Sequence, residues 1–371
     1  MTRVLVLNCG SSSVKYRLFD GSETAAKGLI ERLGEPAGFD AALRHIMDET
    51  DLERLDAVGH RVVHGGDAFD RATVIDDDVV ATIESLVPLA PLHNPAALTG
   101  IAVARKLLPE VPQVAVFDTA FHATIPPEGR FFAIDASLAR RWAVRRYGFH
   151  GTSHAYVARR TAEVLGLDAS AANIITLHLG NGASACAVRG GRSVATSMGM
   201  SPQGGLLMGT RCGDLDPTVI FHLHRVAGLP IEEIEISLTR HAGLQGLTGA
   251  NDMRAVQQRR AAGDPDATLA FDLYCRRIKE YVGAYLAVLG RVDAISFTAG
   301  VGENSAPVRA ASLSGLSALG IEVDPHRNEN GTALISPAGG RVAVCVIPTN
   351  EELEIADQSR IALKQYGAGG G

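Results

Sequence analysis

Short apolar runs alternate along the chain with longer segments whose apolar residues recur every three to five positions, as expected of strands layered with helices. The runs predict strands over residues 4–7, 14–19, 57–63, 114–117, 174–179, 184–188, 294–298 and 342–347. Helices are predicted over 95–108, 154–165 and 265–289. Asn94 and Pro95 read as the N-cap and first helical position of the first helix, Thr152 or Ser153 as the cap of the second, and Asp264-Pro265 as the start of the third. Leu269, Leu273, Ile278, Val282, Tyr285 and Leu289 form the apolar stripe of that third helix. The glycine-rich tail 367–371 is expected to be disordered.

One pattern occurs twice. Val4-Leu5-Val6-Leu7-Asn8-Cys9-Gly10-Ser11-Ser12 can be laid on Ile174-Ile175-Thr176-Leu177-His178-Leu179-Gly180-Asn181-Gly182. Each is an apolar strand ending in a polar residue and a turn of small residues, and each continues into a second strand. Small residues favour hairpin turns in any protein. The repetition with matching flanks points further, to a duplicated domain with a phosphate-gripping turn in each half.

Composition narrows the class. A length of 371 residues suits two domains, and 46% hydrophobic with 20% charged residues is a globular balance. The net charge of −6 argues against a nucleic-acid binder, which needs a basic surface. The stretch 86–104 carries no Asp, Glu, Lys or Arg, but Pro88, Pro91 and Pro95 interrupt it, so a membrane span is rejected. The four apolar residues after Arg3 are too few for a signal-peptide core, and the expected location is the cytoplasm. Five scattered cysteines without a C-x-x-C pair read as free thiols. Forty glycines against 19 aromatic residues must mark turns or close backbone approaches.

Several glycine-flanked motifs could carry chemistry. The turn from Asn8 to Ser13 exposes backbone N–H groups and hydroxyls that can cradle phosphate oxygens, with Lys15 adding charge; it lacks the Walker A pattern. Gly300-Val301-Gly302-Glu303-Asn304 follows a strand but lacks the third glycine of a dinucleotide fingerprint, and Ser305 and Pro307 look like a helix start. Arg61 and Arg211 both sit among glycines that leave room for a ligand, and arginines suit carboxylates and phosphoryl groups in transfer. His60 and His64 imitate a helical zinc pair, yet Arg61-Val62-Val63 between them is strand-like, so a metal site there is rejected. Asp118 ends a strand, where α/β enzymes place reacting groups; helix capping is its plainer reading. His150 lies among small residues just before a helix. Glu351 and Glu352 open the last helix, as dipole complements or as an Mg²⁺ ligand.

In order along nearly the whole chain, these segments resemble the acetate kinase family. The matching stretches are 8–15, 60–66, 92–95, 117–122, 147–154, 178–182, 209–217, 252–254, 300–304 and 348–353. The resemblance implies an α/β fold of two duplicated ribonuclease-H-like domains, of the actin-like ATPase superfamily, flanking a cleft. Residues 1–119 with 350–366 would form the N-terminal domain, closed by the C-terminal helix, and 120–349 the nucleotide-binding domain. It further implies ATP + acetate ⇌ ADP + acetyl phosphate with Mg²⁺, Mn²⁺ serving as a substitute, in a homodimer without nucleic-acid or membrane partners.

Carried over by position, Arg61 and Arg211 would grip the carboxylate and the phosphoryl group, and His150 would donate to an equatorial oxygen. Asp118 is the family's acidic catalytic residue. A carboxylate nucleophile needs no deprotonation near pH 7, so Asp118 is read as orienting Arg61 or substrate. Arg61, Val63, Leu92, His93, Phe149 and Pro202 would meet the acyl substrate. Lys15, His178, Leu179, Gly180, Asn181 and Gly182 would meet the phosphates of the nucleotide. Asp252, Met253, Arg254, Gly300, Val301, Gly302, Glu303 and Asn304 would line the nucleoside pocket. Asn8 and Glu351 would support the metal. One departure is length: between Asp20 and Ala57 the chain is shorter than the family pattern by some tens of residues. Rival readings are a propionate or other short-chain acyl kinase, and an acyl-independent ATPase switch of the same superfamily.

Overall fold

A computed structural model of the chain describes residues 2–10, 12–31, 36–52 and 54–369; Ser11 of the first small-residue turn and Gly370 and Gly371 of the tail lie outside them. The chain divides into two compact units. The first comprises Met1–Ala123, Gly151–Ser153 and Asn350–Gly371, and the second Thr124–His150 and His154–Thr349.

The first unit is built on a six-stranded sheet: β1 (Arg3–Cys9), β2 (Ser13–Asp20), β3 (Glu23–Glu31), β4 (Ala57–Val62), β5 (Thr73–Val74) and β6 (Gln113–Phe117), in the order β3-β2-β1-β4-β6-β5. β1 pairs antiparallel with β2 and parallel with β4, and β4 runs parallel to β6. The alternation of β1 sorts its residues onto two cores. Leu5 and Leu7 pack with Phe39, Leu43 and Ile46 of the helix Pro36–Glu49 and with Ala104 of the helix Asn94–Leu107. Val4 and Val6 pack on the other face with Ile355, Ala356 and Ala362 of the C-terminal helix Glu351–Gly369. That helix lies so close to β4 that a Cβ on Gly59 would come 2.6 Å from Ser359 Oγ. For Gly367–Gly369 the expectation of disorder is corrected, because the helix runs on to Gly369; the rest of that expectation lies outside the described residues.

The second unit carries a five-stranded sheet: β7 (Asn173–Leu179), β8 (Ala183–Arg189), β9 (Arg192–Thr196), β10 (Ala294–Thr298) and β11 (Ala343–Val346), in the order β11-β10-β7-β8-β9. β7 pairs antiparallel with β8 and parallel with β10, which runs parallel to β11. An antiparallel meander followed by two parallel strands on the other side of the first is thus built twice. Each small-residue turn is closed by a glycine N–H, at different spans: Gly10 N donates to Ser13 O (2.8 Å), three residues on, and Gly180 N to Gly182 O (3.0 Å), two residues on. This mixed α/β architecture of two matching sheets is that of the duplicated actin-like ATPase domains.

Three helix details differ from the sequence reading. His93, not Asn94, takes the N-cap of Asn94–Leu107, because the buried Asn94 amide spans the backbone of His64, accepting from its N–H (3.2 Å) and donating to its C=O (3.1 Å). The helix Gly151–Leu165 begins before Thr152, with His150 as its N-cap in the left-handed region at φ +56°. In the helix Pro265–Leu289, Leu269 and Leu273 are exposed, and Ala267, Ala270, Phe271, Tyr274 and Cys275 take the core face instead. Asp264 caps that helix as expected, accepting from the N–H groups of Asp266 and Ala267. All five cysteines are free, and no helix among the described residues is long and apolar enough to cross a membrane.

Candidate active site

In the first unit, parallel pairing of β4 with β6 brings Arg61 and Asp118 to the same sheet edge. Asp118 N donates to Val62 O (3.0 Å), continuing the ladder one residue past β6. The carboxylate then accepts from Arg61 Nε (3.0 and 3.2 Å) and from Nη2 (2.7 Å), a fork-to-fork pair. Asp118 is only 1% exposed. Its charge holds the Arg61 guanidinium protonated well above the ordinary range, against burial, with Glu351 and Glu352 adding to the effect. The following loop is fixed by Gly65 N donating to Thr119 Oγ1 (2.9 Å) and Gly66 N to His64 Nδ1 (3.0 Å).

At the start of the C-terminal helix, Glu351 Oε2 accepts from Thr152 Oγ1 (3.3 Å). Glu352 forms an ion pair with Lys15 and reaches Arg17 at 3.9 Å, while Asn350 Oδ1 accepts from Arg17 Nη1 (3.0 Å). Burial works against ionisation of Glu352, but the Lys15 hydrogen bond and charge, with Arg17, hold its carboxyl below the usual range. Lys15, expected to face a phosphate, is therefore already engaged by an acid. Asn8 stands opposite Lys15 in the β1–β2 ladder. No group of three His, Cys, Asp or Glu side chains suited to a metal occurs among the described residues. Asn8 and Glu351, an amide oxygen and one carboxylate, fit in kind a cation carried largely by phosphate and water. Val63 is half-buried, whereas Leu92 is 64% exposed and His93 is also exposed.

The second unit gathers most of the remaining candidates. His150 stacks on His178, ring centroids 4.2 Å apart, and its Nδ1 meets Ser184 Oγ at 2.9 Å. A Cβ placed on Gly182 would lie 3.5 Å from His150 Nε2 and 3.6 Å from Arg211 Nη1, so both groups flank the open face of that turn. Arg211 donates to Pro202 O (2.7 Å) and has no ion pair with any described carboxylate; burial alone acts on it, pulling its pKa down. A half-buried guanidinium without a counter-charge is a standing invitation to an anion. Phe149 is fully buried beside His150 in sequence, and Pro202 is half-buried.

Beyond the turn opens a cavity of about 530 Å³. Gly180, Asn181, Asp252, Met253, Arg254, Gly300, Val301 and Asn304, all read from sequence, line it together. Gly209 closes one end: its N–H donates to Asn181 O (3.0 Å), and a Cβ there would fall 1.9 Å from Asn181 Oδ1. The other nucleotide candidates hold the walls. Leu179 is buried, and Glu303 Oε1 accepts from Ala299 N (2.8 Å) and Thr349 N (3.1 Å), tying the helix Ala299–Asn304 to the end of the last strand. Leu244, Gln257, Tyr274 and Ser305 also line the cavity and were invisible to motif reasoning, because each reads in sequence as an ordinary helix position or cap.

Comparison with known proteins identifies the family. The Acetokinase family model matches residues 38–357. The chain is 54% identical over 399 aligned residues to the acetate kinase of Streptomyces coelicolor, covering 99% of this chain and 98% of that one. Among solved structures, Porphyromonas gingivalis acetate kinase superposes with a TM-score of 0.93 at 40% identity, covering 98% of this chain and 100% of that one. A propionate kinase from Francisella tularensis superposes with a TM-score of 0.91 at 39% identity, covering 96% and 99%. The chain belongs to the acetokinase family, enzymes that use ATP or ADP and a divalent metal to move a phosphoryl group to or from a carboxylate.

Proposed function

We propose that the chain is an acetate kinase, catalysing ATP + acetate ⇌ ADP + acetyl phosphate by direct in-line transfer in the cytoplasm, as a homodimer. The observation that carries the assignment of roles is the juxtaposition of His150 Nε2 with the uncompensated Arg211 guanidinium across Gly182. An acetate oxygen attacks the γ-phosphorus, the bond to the β-phosphate oxygen breaks, and its electron pair leaves with ADP. The transition state spreads negative charge over equatorial oxygens, so the protein's task is position and positive charge. Arg211 and His150 supply two donors to those oxygens. Arg61 binds the acetate carboxylate, and Asp118 holds Arg61 in place rather than removing a proton, since acetate is ionised at pH 7.

Val63, Leu92, His93, Phe149 and Pro202 contact the acyl group, and the cavity behind Gly180 takes the nucleoside. His178, Gly180 and Gly182 approach the phosphates, as does Lys15 once drawn from Glu352. Asn8 and Glu351 would hold Mg²⁺, or Mn²⁺ in its place, which when bound neutralises charge on the phosphates. Arg211→Ala removes one preorganised donor and should lower kcat by about 10²–10³-fold. Turnover near that of the unaltered enzyme in this variant would refute the assignment of Arg211.

Near-equal likeness to an acetate and a propionate kinase structure supports a second reading, a broader short-chain acyl kinase. One methylene is worth about 1–3 kcal/mol, so acetate should lead propionate in kcat/KM by roughly 10–200-fold if the pocket is acetate-sized. Measuring acetate, propionate and butyrate with ATP, GTP and pyrophosphate as donors decides both specificities. ADP release that does not depend on any acyl acceptor would instead identify an ATPase switch.

A further inference from the structure

Ser184 stands directly opposite His178 in the β7–β8 ladder, and Thr176 lies two residues before His178, so all three side chains leave the sheet on one face. His154, one turn into the helix Gly151–Leu165, is buried against that face with Ser184 and Thr176, none of them measurably exposed. His154 Nδ1 meets Thr176 Oγ1 at 2.7 Å and His154 Nε2 meets Ser184 Oγ at 2.8 Å. The same Ser184 oxygen meets His150 Nδ1 at 2.9 Å.

A serine hydroxyl has one proton to give. If that proton goes to His150 Nδ1, the oxygen is left as an acceptor for His154 Nε2–H, and the two ring nitrogens take opposite protonation states. A second constraint comes from the site. His150 Nε2 faces the open side of Gly182 beside Arg211. Phosphoryl oxygens only accept, so a bare Nε2 would repel them. The left-handed backbone of His150 at φ +56° is held against a cost of about 1–2 kcal/mol, which fixes where the ring is carried but not which nitrogen bears the proton.

We propose that Ser184 and His154 are positioning residues that set the tautomer of His150. Thr176 donates to His154 Nδ1, His154 Nε2–H donates to Ser184, and Ser184 donates to His150 Nδ1, leaving Nε2–H of a neutral His150 turned outward. The inference rests on the reading of His150 as a donor to the phosphoryl group.

The test uses the full chain labelled with ¹⁵N-histidine. At pH 7.5 the imidazole of His150 should show a bare Nδ1 and a protonated Nε2, and Ser184→Ala should shift it toward a mixture of tautomers. The same substitution should lower kcat by about 10–100-fold with the KM values for ATP and acetate within about twofold. His154→Gln keeps an N–H toward Ser184 and should retain most of kcat, whereas His154→Leu should fall with Ser184→Ala; this pair keeps the test alive if Ser184→Ala does not fold. A protonated Nδ1 on His150 in the unaltered protein, or a Ser184→Ala protein with unchanged tautomer and unchanged kcat, overturns the proposal. His150→Ala is measured alongside: full turnover there overturns the donor reading itself, whereas its loss with normal Ser184→Ala turnover overturns only the role of the chain behind it.

Discussion

Two arginines flanked by glycines look alike in sequence but differ in charge balance. Arg61 is neutralised by Asp118, whereas Arg211 is not. If Asp118 acts through Arg61, the two behave as one unit. Asp118→Asn and Arg61→Ala should each lower kcat/KM for acetate by about 10²-fold, and the double variant should cost little more than the worse single. Additive losses in that cycle would make Asp118 an independent catalytic group. His60 offers a stability test at the same scale. Buried and hydrogen-bonded to Gln113 Oε1 (2.8 Å), it has its pKa pushed down to about 4 from 6.5 by desolvation, the hydrogen bond opposing. Between those values the unfolded chain takes up a proton that the folded chain refuses. Stability therefore falls as pH drops from about 6.5 toward 4, by on the order of 3 kcal/mol. Urea midpoints measured across that range should fall with acidity, and His60→Asn should flatten the slope.

At the scale of elements, what was legible in the sequence was whatever is carried by an uninterrupted apolar run. Every strand with such a run was placed within a residue or two, and the cap at Asp264 was plain. β3, β5 and β9 escaped notice because these edge strands carry no continuous apolar run of their own, whereas β11, also at an edge, has one and was found. The exposed Leu269 and Leu273 misled for a related reason: small residues, Ala267 and Ala270, let the helix sit close to its neighbours on the other face. Among the site residues, glycine turns and charged groups could be found by chemistry, but not the cavity-lining Leu244 and Tyr274, whose relevance exists only in three dimensions. The contact of Gly59 with the C-terminal helix is equally silent in sequence. Gly59→Ala would push its methyl into Ser359 Oγ and Ile355 Cγ2 (2.6 and 3.0 Å). The helix would have to shift, and thermal or urea unfolding should report a loss of about 1–3 kcal/mol. Ser359→Ala in the same background should recover part of it.

For the whole molecule, the duplication was readable because each sheet begins with an apolar strand that ends in a turn of small residues and a second strand. That the first unit is assembled from three separated stretches was not readable from pattern; the family resemblance implied two, 1–119 and 350–366, without Gly151–Ser153. Val4, Val6, Ala57 and Val114 are covered by residues 355–362, almost at the end of the chain. A chain stopped after Thr349 should therefore bind an apolar dye strongly and show a lower urea midpoint, while the cores of the second unit keep all their residues. During synthesis every molecule passes through that state. At about 5–20 residues per second, the ribosome needs roughly 10–45 s to make Thr124–Thr349 before the covering helix can emerge. For that interval the sheet face of Val4, Val6, Ala57 and Val114 lacks the helix residues that cover it in the folded chain.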